Sequence, residues 1–247
     1  MAGAPPPPQP RRRGVSAGDG RLRVASWNIH AGIGGDGKRD LERVVALLAR
    51  HRPDIMALQE IDARGVFPNP FASLKEALGG HGAHAATIVG ADGDYGHAII
   101  SRYPLLDYSL HDISVRGREP RSIVEARIAT PGGPLSVLAA HFGLRFGERR
   151  HQASILAGRA RAIEGPLLVL GDFNDWSWRG PVARALGPIM PASTTHRTFP
   201  ARFPCLGLDR IFVRPAGLLR HSFTDRDAAM ASDHLPVIAD LHLPQPK

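Results

Sequence analysis

Leu167-Leu168-Val169-Leu170-Gly171-Asp172-Phe173-Asn174-Asp175 decides how this chain is read. Four apolar residues run into a glycine, and two carboxylates and an amide follow at once. A short apolar run closed by turn residues reads as a buried strand. A buried strand ending in Asp-x-Asn delivers acid and amide groups to one edge of a sheet. In open α/β architectures the carboxyl ends of the strands are where ligands bind.

The same grammar recurs along the chain. Arg23-Val24-Ala25-Ser26-Trp27 runs into Asn28-Ile29-His30, Ile55-Met56-Ala57-Leu58 into Gln59-Glu60, and Leu135 to Ala140 into His141. Leu208-Asp209-Arg210-Ile211 and Ser232-Asp233-His234-Leu235-Pro236 each open a later apolar run. Six strand ends thus carry Asn, Glu, His, Asp/Asn, Asp and Asp-His. These side chains hold hard divalent cations, position water and transfer protons.

The 247 residues suffice for one sizeable domain with a large core. A hydrophobic content of 43% with 22% charged residues puts the chain among ordinary globular proteins and excludes a low-complexity one. The formal charge is +8, of which +4 falls in residues 1–23, with five arginines and Asp19. The remaining, mildly basic body suits an anionic substrate without identifying one. Arginine outnumbers lysine 28 to 3, a bias that coding composition explains. A single cysteine, Cys205, excludes an internal disulfide framework and a cysteine zinc site, and reads as a small buried or loop residue. No apolar run is long enough to span a membrane, and the start of the chain lacks the apolar core of a signal peptide. Residues 1–21, with Pro5 to Pro8 and Arg11 to Arg13, read as a disordered tail. The expected location is cytoplasmic, with the tail available to an anionic membrane surface or nucleic acid. No obligate protein partner is evident.

The folded domain is expected over residues 22–243. Gly32 to Gly37 lacks both the P-loop ending and the dinucleotide-binding spacing, so it reads as a mobile connection. Helices are expected over Lys38 to His51, Phe71 to Leu78, Gly147 to Glu164 and Gly180 to Leu186. Further strands are expected at Ala85 to Val89, Gly96 to Arg102, Leu105 to Ile113 and Ser122 to Ala129. Pro131-Gly132-Gly133-Pro134 makes a hairpin turn, residues 188–207 form a loop region, and two strands finish the chain. Strands outnumbering helices, with hairpins mixed among crossovers, favour an α/β sandwich of mixed sheets.

Taken together, Trp27-Asn28-Ile29, Leu58-Gln59-Glu60, Ile99-Ile100-Ser101-Arg102, Gly171-Asp172-Phe173-Asn174, Leu208-Asp209-Arg210-Ile211 and Ser232-Asp233-His234-Leu235-Pro236 resemble the ordered motifs of the endonuclease/exonuclease/phosphatase superfamily. The resemblance implies a DNase I-like four-layer α/β/β/α sandwich and a hydrolase acting on phosphoester bonds with Mg²⁺ or Mn²⁺. It implies that Glu60 is the principal metal carboxylate, with Asn28 close by and Asp233 on the metal side. Asp172 would orient or deprotonate the attacking water, and Asn174 would contact the phosphate. His234 would sit at the scissile phosphate, oriented by Asp209. His141 would contact phosphate or help the leaving oxygen, and Arg121 would contact phosphate. One metal ion or two is left open.

The stretch His141-Phe142-Gly143-Leu144, followed by Glu148-Arg149-Arg150-x-Gln152, resembles bacterial members grouped with lipid-modifying phosphodiesterases. The expected substrate is accordingly a phospholipid-like or other small phosphoester. A nuclease acting on DNA is the alternative, weakened because no long basic, aromatic-bearing insertion stands out. A catalytically inactive phosphate-binding module is a third reading, which the retention of every matched polar residue disfavours. His30 and His97, near the site, are expected to be structural. Trp176 and Trp178 are expected to pack rather than stack on a base or dip into lipid. Arg145, Glu148, Arg149 and Arg150 read as a solvated helix face, with a patch for a substrate headgroup as the sharper reading.

Overall fold

The protein is described by a computed structural model covering residues 20–177 and 179–243. The expected tail up to residue 19, Trp178, and residues 244–247 lie outside the described residues. The order of elements is β1 (Arg21–Asn28), α1 (Leu41–His51), β2 (Ile55–Asp62), α2 (Pro70–Leu78), β3 (His81–Gly90), β4 (Gly93–Ser101), β5 (Leu105–Asp112), β6 (Ser122–Thr130), β7 (Gly133–His141), α3 (Phe146–Ala162), β8 (Leu167–Asp172), α4 (Pro181–Leu186), β9 (Ala192–Ser193), β10 (Asp209–Arg214), β11 (Leu219–Thr224) and β12 (Val237–His242). Two six-stranded sheets result, ordered β11-β12-β1-β2-β4-β3 and β5-β6-β7-β8-β10-β9. Each is mixed, with one parallel pair, β1 with β2 and β7 with β8. The crossovers between those parallel partners are α1 and α3. This is the four-layer DNase I-like sandwich.

The apolar run at Leu167–Leu170 is continuous because both faces of β8 are covered. Leu168 and Leu170 join Val24, Ile55, Ile99, Val137 and Ile211 between the sheets. Leu167 and Val169 face outward and pack with Leu156, Phe142 and Phe173 in the layer that contains α3. On the other side Trp27, Met56 and Leu58 pack against Val44 and Leu48 of α1 and Leu74 of α2. Gly171 is required by the pairing of β7 with β8, because any Cβ there would run into the Ala140 carbonyl.

Several expected boundaries shift for local reasons. Helix α1 begins at Leu41 rather than Lys38, because the Asp40 carboxylate accepts the Glu42 N–H at 3.0 Å and caps it. Strand β3 starts at His81, four residues early. Three strands rather than two finish the chain. The additional one, β11, is a half-exposed edge strand pairing only with β12, so it shows little apolar alternation. The Gly32–Gly37 loop is not a free connection. Gly34 N–H donates to Lys38 O at 3.1 Å and Gly35 N–H to Ala229 O at 3.0 Å, which ties the loop to the segment before β12. Cys205 is exposed in the loop before β10, not buried.

Candidate active site

All six expected strand ends lie at one edge of the sandwich. Strands β1, β2, β7 and β8 deliver their last residues there. Strand β10 runs antiparallel to β8 and β12 antiparallel to β1, so Asp209 and the segment before β12 reach the same edge from their beginnings. Asn28, Glu60, Arg121, His141, Asp172, Asn174 and His234 line a cavity of about 410 Å³ there, with Tyr95, Glu119, Leu144, Arg149, Trp176, Phe199, Leu206 and Leu208.

Glu60 gets there by a backbone irregularity. Plain alternation would put it on the face of Leu58, under the outer helices. Between Leu58 and Ile61 β2 advances three residues while β4, from Ala98 to Gly96, advances two. This bulge holds Glu60 at φ 57° and re-aims its side chain. Asn174 is likewise left-handed, at φ 50°. For residues other than glycine such conformations cost of order 1–3 kcal/mol and concentrate at functional sites.

Asn28 ties the two sheets together. Its Nδ2 donates to Glu60 Oε1 at 2.8 Å, in its own sheet, and to Asp172 Oδ2 at 3.0 Å, in the other. Its Oδ1 accepts the His30 N–H at 3.0 Å. Asp172 Oδ1 accepts the Asn174 N–H at 3.0 Å, and Asn174 Nδ2 donates to the Phe142 carbonyl at 2.8 Å. Burial raises the pKa of Asp172, and the charge of Asp209 raises it further, to about 6.

The two imidazoles are set in opposite states. His234 Nδ1 lies 2.8 Å from Asp209 Oδ2, a carboxylate with no exposed surface. Burial alone would lower the His234 pKa, but Asp209 and Asp172 outweigh it and lift it to about 10. The ring is therefore an imidazolium at neutral pH, with Nε2–H 3.9 Å from Asp172 Oδ2. His141 is driven well below the usual histidine value by burial first and then by Arg121, His97 and His234. Its approach to Asp172 Oδ2, at 3.6 Å, is thus that of a neutral ring and not an ion pair. Arg121 Nη1, which can only donate, lies 2.7 Å from His141 Nδ1. The proton must then sit on Nε2, which faces Asp172 and, at 3.9 Å, Glu60.

His234 is fixed from β1. The Trp27 indole N–H donates to the His234 carbonyl at 2.8 Å, and Ser232 Oγ accepts the His234 N–H while donating to Asn28 O. His141 is fixed from α3, whose inner face clamps the loop after it. Gln152 Oε1 accepts the Gly143 N–H at 2.9 Å, Glu148 lies against the Arg145 N–H, and Arg149 donates to the Leu144 carbonyl. A Cβ at Gly143 would overlap the Glu148 carboxylate. Gly143→Ala is therefore expected to displace that cap and cost about 1 kcal/mol. A thermal melt should read this as a drop of about 2–4 °C.

Not every expected residue joins the site. Asp233 does not line the cavity; its carboxylate lies 3.5 Å from His30 Nδ1 and its side chain is 44% exposed. His97 is buried, its pKa lowered to about 3 by burial, then by His84 and Arg121. Trp176 is not packed inside but 57% exposed, with the Arg149 guanidinium 5.4 Å from its ring. Glu148 and Arg149 are buried, not on a solvated face, whereas Arg145 and Arg150 are exposed. Tyr95, Glu119, Phe199 and Leu206 were not singled out by sequence, since each lies on a strand or loop without a motif. The burial of Arg149 had a signal: the Ala153–Leu156–Ala160 stripe of α3, continued one turn back, reaches Gln152 and Arg149.

Among the described residues, two places offer donors to a cation. Asp172, Asp209 and His234 bring one ligand atom each within 4.8 Å of one another. In that trio, however, His234 Nδ1 and Asp209 Oδ2 satisfy each other. Glu60 instead opens its carboxylate to the cavity, which suits a hard cation that keeps waters and takes few protein oxygens. A larger concavity, about 840 Å³, lies at the opposite end of the first sheet, but there Arg23 is paired with Asp240 and Arg102 with Asp54.

A sandwich of two mixed sheets with acids, amides and imidazoles gathered at one edge defines a class of phosphoester hydrolases. The chain belongs to the Endonuclease/Exonuclease/phosphatase family, whose profile matches residues 25–234. Members of this family are hydrolases acting on phosphoester bonds and generally use a divalent metal. The uncharacterized protein YbhP of Escherichia coli K12 is 32% identical over 247 residues, covering 90% of this chain and 96% of its own. Among solved structures, an endonuclease/exonuclease/phosphatase from Beutenbergia cavernae superposes with a TM-score of 0.75 at 22% identity, over 91% of this chain and 72% of that one. The mannosyl-6-phosphatase Bt3783 of Bacteroides thetaiotaomicron gives 0.67 at 19%, over 89% and 99%. The human Nocturnin catalytic domain gives 0.69 at 18%, over 90% and 94%. At these identities the structures speak for the fold alone. Among the described residues no helix is long and apolar enough to cross a membrane.

Proposed function

We propose that this protein hydrolyses a small or phospholipid-like phosphoester by attack of an activated water, with Mg²⁺ or Mn²⁺ as cofactor. The observation that carries this reading is the convergence of a raised-pKa carboxylate, a charged imidazole and a neutral imidazole on one cavity built from both sheets. Glu60, with Asn28 beside it, would hold the cation, which when bound supplies neutralisation of charge on the phosphoryl oxygens. Asp172 takes a proton from the water that forms the new P–O bond. His234, its Nδ1–H fixed on Asp209, presents Nε2–H to the phosphoryl group and donates as the bond to the leaving oxygen breaks. His141, backed by Arg121, offers a neutral Nε2–H donor, and Asn174 holds the loop that carries it while lining the phosphate position. Asp233, facing His30, is not in this set.

The cavity volume favours a small substrate over a gripped duplex. Hydrolysis should be measured with Mg²⁺ and Mn²⁺ on plasmid DNA, abasic duplex, RNA, phospholipid vesicles, inositol phosphates and bis-p-nitrophenyl phosphate. Turnover confined to lipid or small esters is the expected result. Efficient DNA nicking with a steep fall in affinity as salt rises would replace it with the nuclease reading. No turnover on any substrate, with the cation bound, would leave a phosphate-binding module.

A further inference from the structure

Arg149 has so far entered through its bond to the Leu144 carbonyl and its place beside the Trp176 ring. It is 6% exposed, lines the catalytic cavity, and forms no ion pair among the described residues. Its hydrogen bond goes to the Leu144 carbonyl, its guanidinium lies 5.4 Å from the Trp176 ring centre, and its Nε has no partner. The other buried arginine of the cavity, Arg121, is engaged by His141 Nδ1 and, at 3.3 Å, by Glu119 Oε1. A buried guanidinium without a counter-charge is costly, and the cost falls when an anion completes it. A planar guanidinium is also the side chain best shaped to meet a phosphate or carboxylate through two parallel hydrogen bonds.

Arg149 makes no hydrogen bond or ion pair with Asp172, His141 or His234. Its neighbours, Leu144 and Trp176, belong to the loops after β7 and β8, whereas Glu60 comes from β2 in the other sheet. Both neighbours restrict it: the carbonyl takes one donor and the indole face covers one side of the guanidinium. The guanidinium thus stands in the cavity wall with its positive charge in a fixed place.

We propose that Arg149, braced by Trp176, is a second anion-binding point, which reads a negatively charged group of the substrate other than the phosphate that is cleaved. The substrate class is then a phosphoester carrying a second phosphate or a carboxylate within the reach of one small cavity. This rests on the phosphoesterase reading of the same cavity, so the first measurement does not use turnover.

Binding of inorganic phosphate and inorganic pyrophosphate to metal-free protein should be compared by calorimetry in the wild type, Arg149→Met, Arg149→Lys and Trp176→Leu. Pyrophosphate is expected to bind the wild type about 10-fold tighter than phosphate, the scale of one charge-assisted hydrogen bond. In Arg149→Met that preference, read as the ratio of the two affinities, should vanish. Arg149→Lys should restore part of it, and Trp176→Leu, at an exposed position, should weaken it without a loss of fold. Equal affinities for both anions in the wild type would overturn the inference. So would an equal loss of both in Arg149→Met, which would put Arg149 at the cleaved phosphate. The second measurement takes aryl phosphodiesters of glycerol and of glycerol phosphate. The ratio of their kcat/KM values should favour the one with the second phosphate and fall towards one in Arg149→Met, through KM. If neither ester turns over while the pyrophosphate preference is present, the phosphoesterase reading fails and the anion point stands.

Discussion

His234→Ala is expected to lower phosphodiester turnover by about 10³-fold, within the range for removing a positioned proton donor. Asp209→Asn tests the same unit more finely. It keeps the shape of the pair but removes the largest charge that raises the His234 pKa, and it lets an amide N–H face Nδ1, so that the Nδ1–H is no longer fixed. Turnover should fall by about 10³-fold or more, as when the wrong tautomer is presented, and the fall should lie in kcat rather than KM. The same pair predicts a pH dependence of stability. His234 has its folded pKa raised to about 10, above the value of 6.5 for a free ring. Its contribution is therefore fully present below about pH 6.5 and is lost as pH rises towards 10, since the folded state binds the extra proton in between. The destabilisation of metal-free Asp209→Asn, read from denaturant melts, should be largest near pH 6 and shrink by pH 10. A constant difference across that range would mean that the pair is not charged as described.

Glu60→Gln should lower hydrolysis by about 10²–10³-fold, the scale for removing one preorganised group that stabilises charge. The substitution is close in shape and keeps an oxygen for Asn28 Nδ2, so the fold should survive. Added Mg²⁺ should raise the melting temperature of the wild type, by linkage worth about 2.7 kcal/mol at a hundred times the dissociation constant. In Glu60→Gln that rise should disappear. Its persistence in Glu60→Gln, with loss in Asp172→Asn, would move the cation to the Asp172–Asp209–His234 trio.

How far the site could be read in advance depends on how each residue reaches the cavity. Asp172, His141 and Asn28 end apolar strands, and their positions follow from alternation and from where the apolar run stops. Glu60 is different. Its chain position marks it, but its direction comes from a one-residue bulge that no local pattern announces. Asp233 and His234 are adjacent in sequence and equally polar, yet one turns out to His30 and the other in to Asp209. That choice is made by Trp27 and Ser232, which hold the backbone on either side of the turn. Arg149 in α3 and Trp176 in the loop after β8 come together from 27 residues apart in sequence, and nothing in either segment refers to the other.

By itself, the amino-acid sequence determined the layered α/β architecture, the two crossover helices and the family, because periodic burial and ordered motifs are written along the chain. It also determined which residue types are available at the strand ends. The tertiary structure decided which of them meet, which histidine is charged and which neutral, and where an unpaired arginine faces the cavity. Those properties depend on burial and on charges brought in from the opposite sheet, and neither exists until the two sheets have packed.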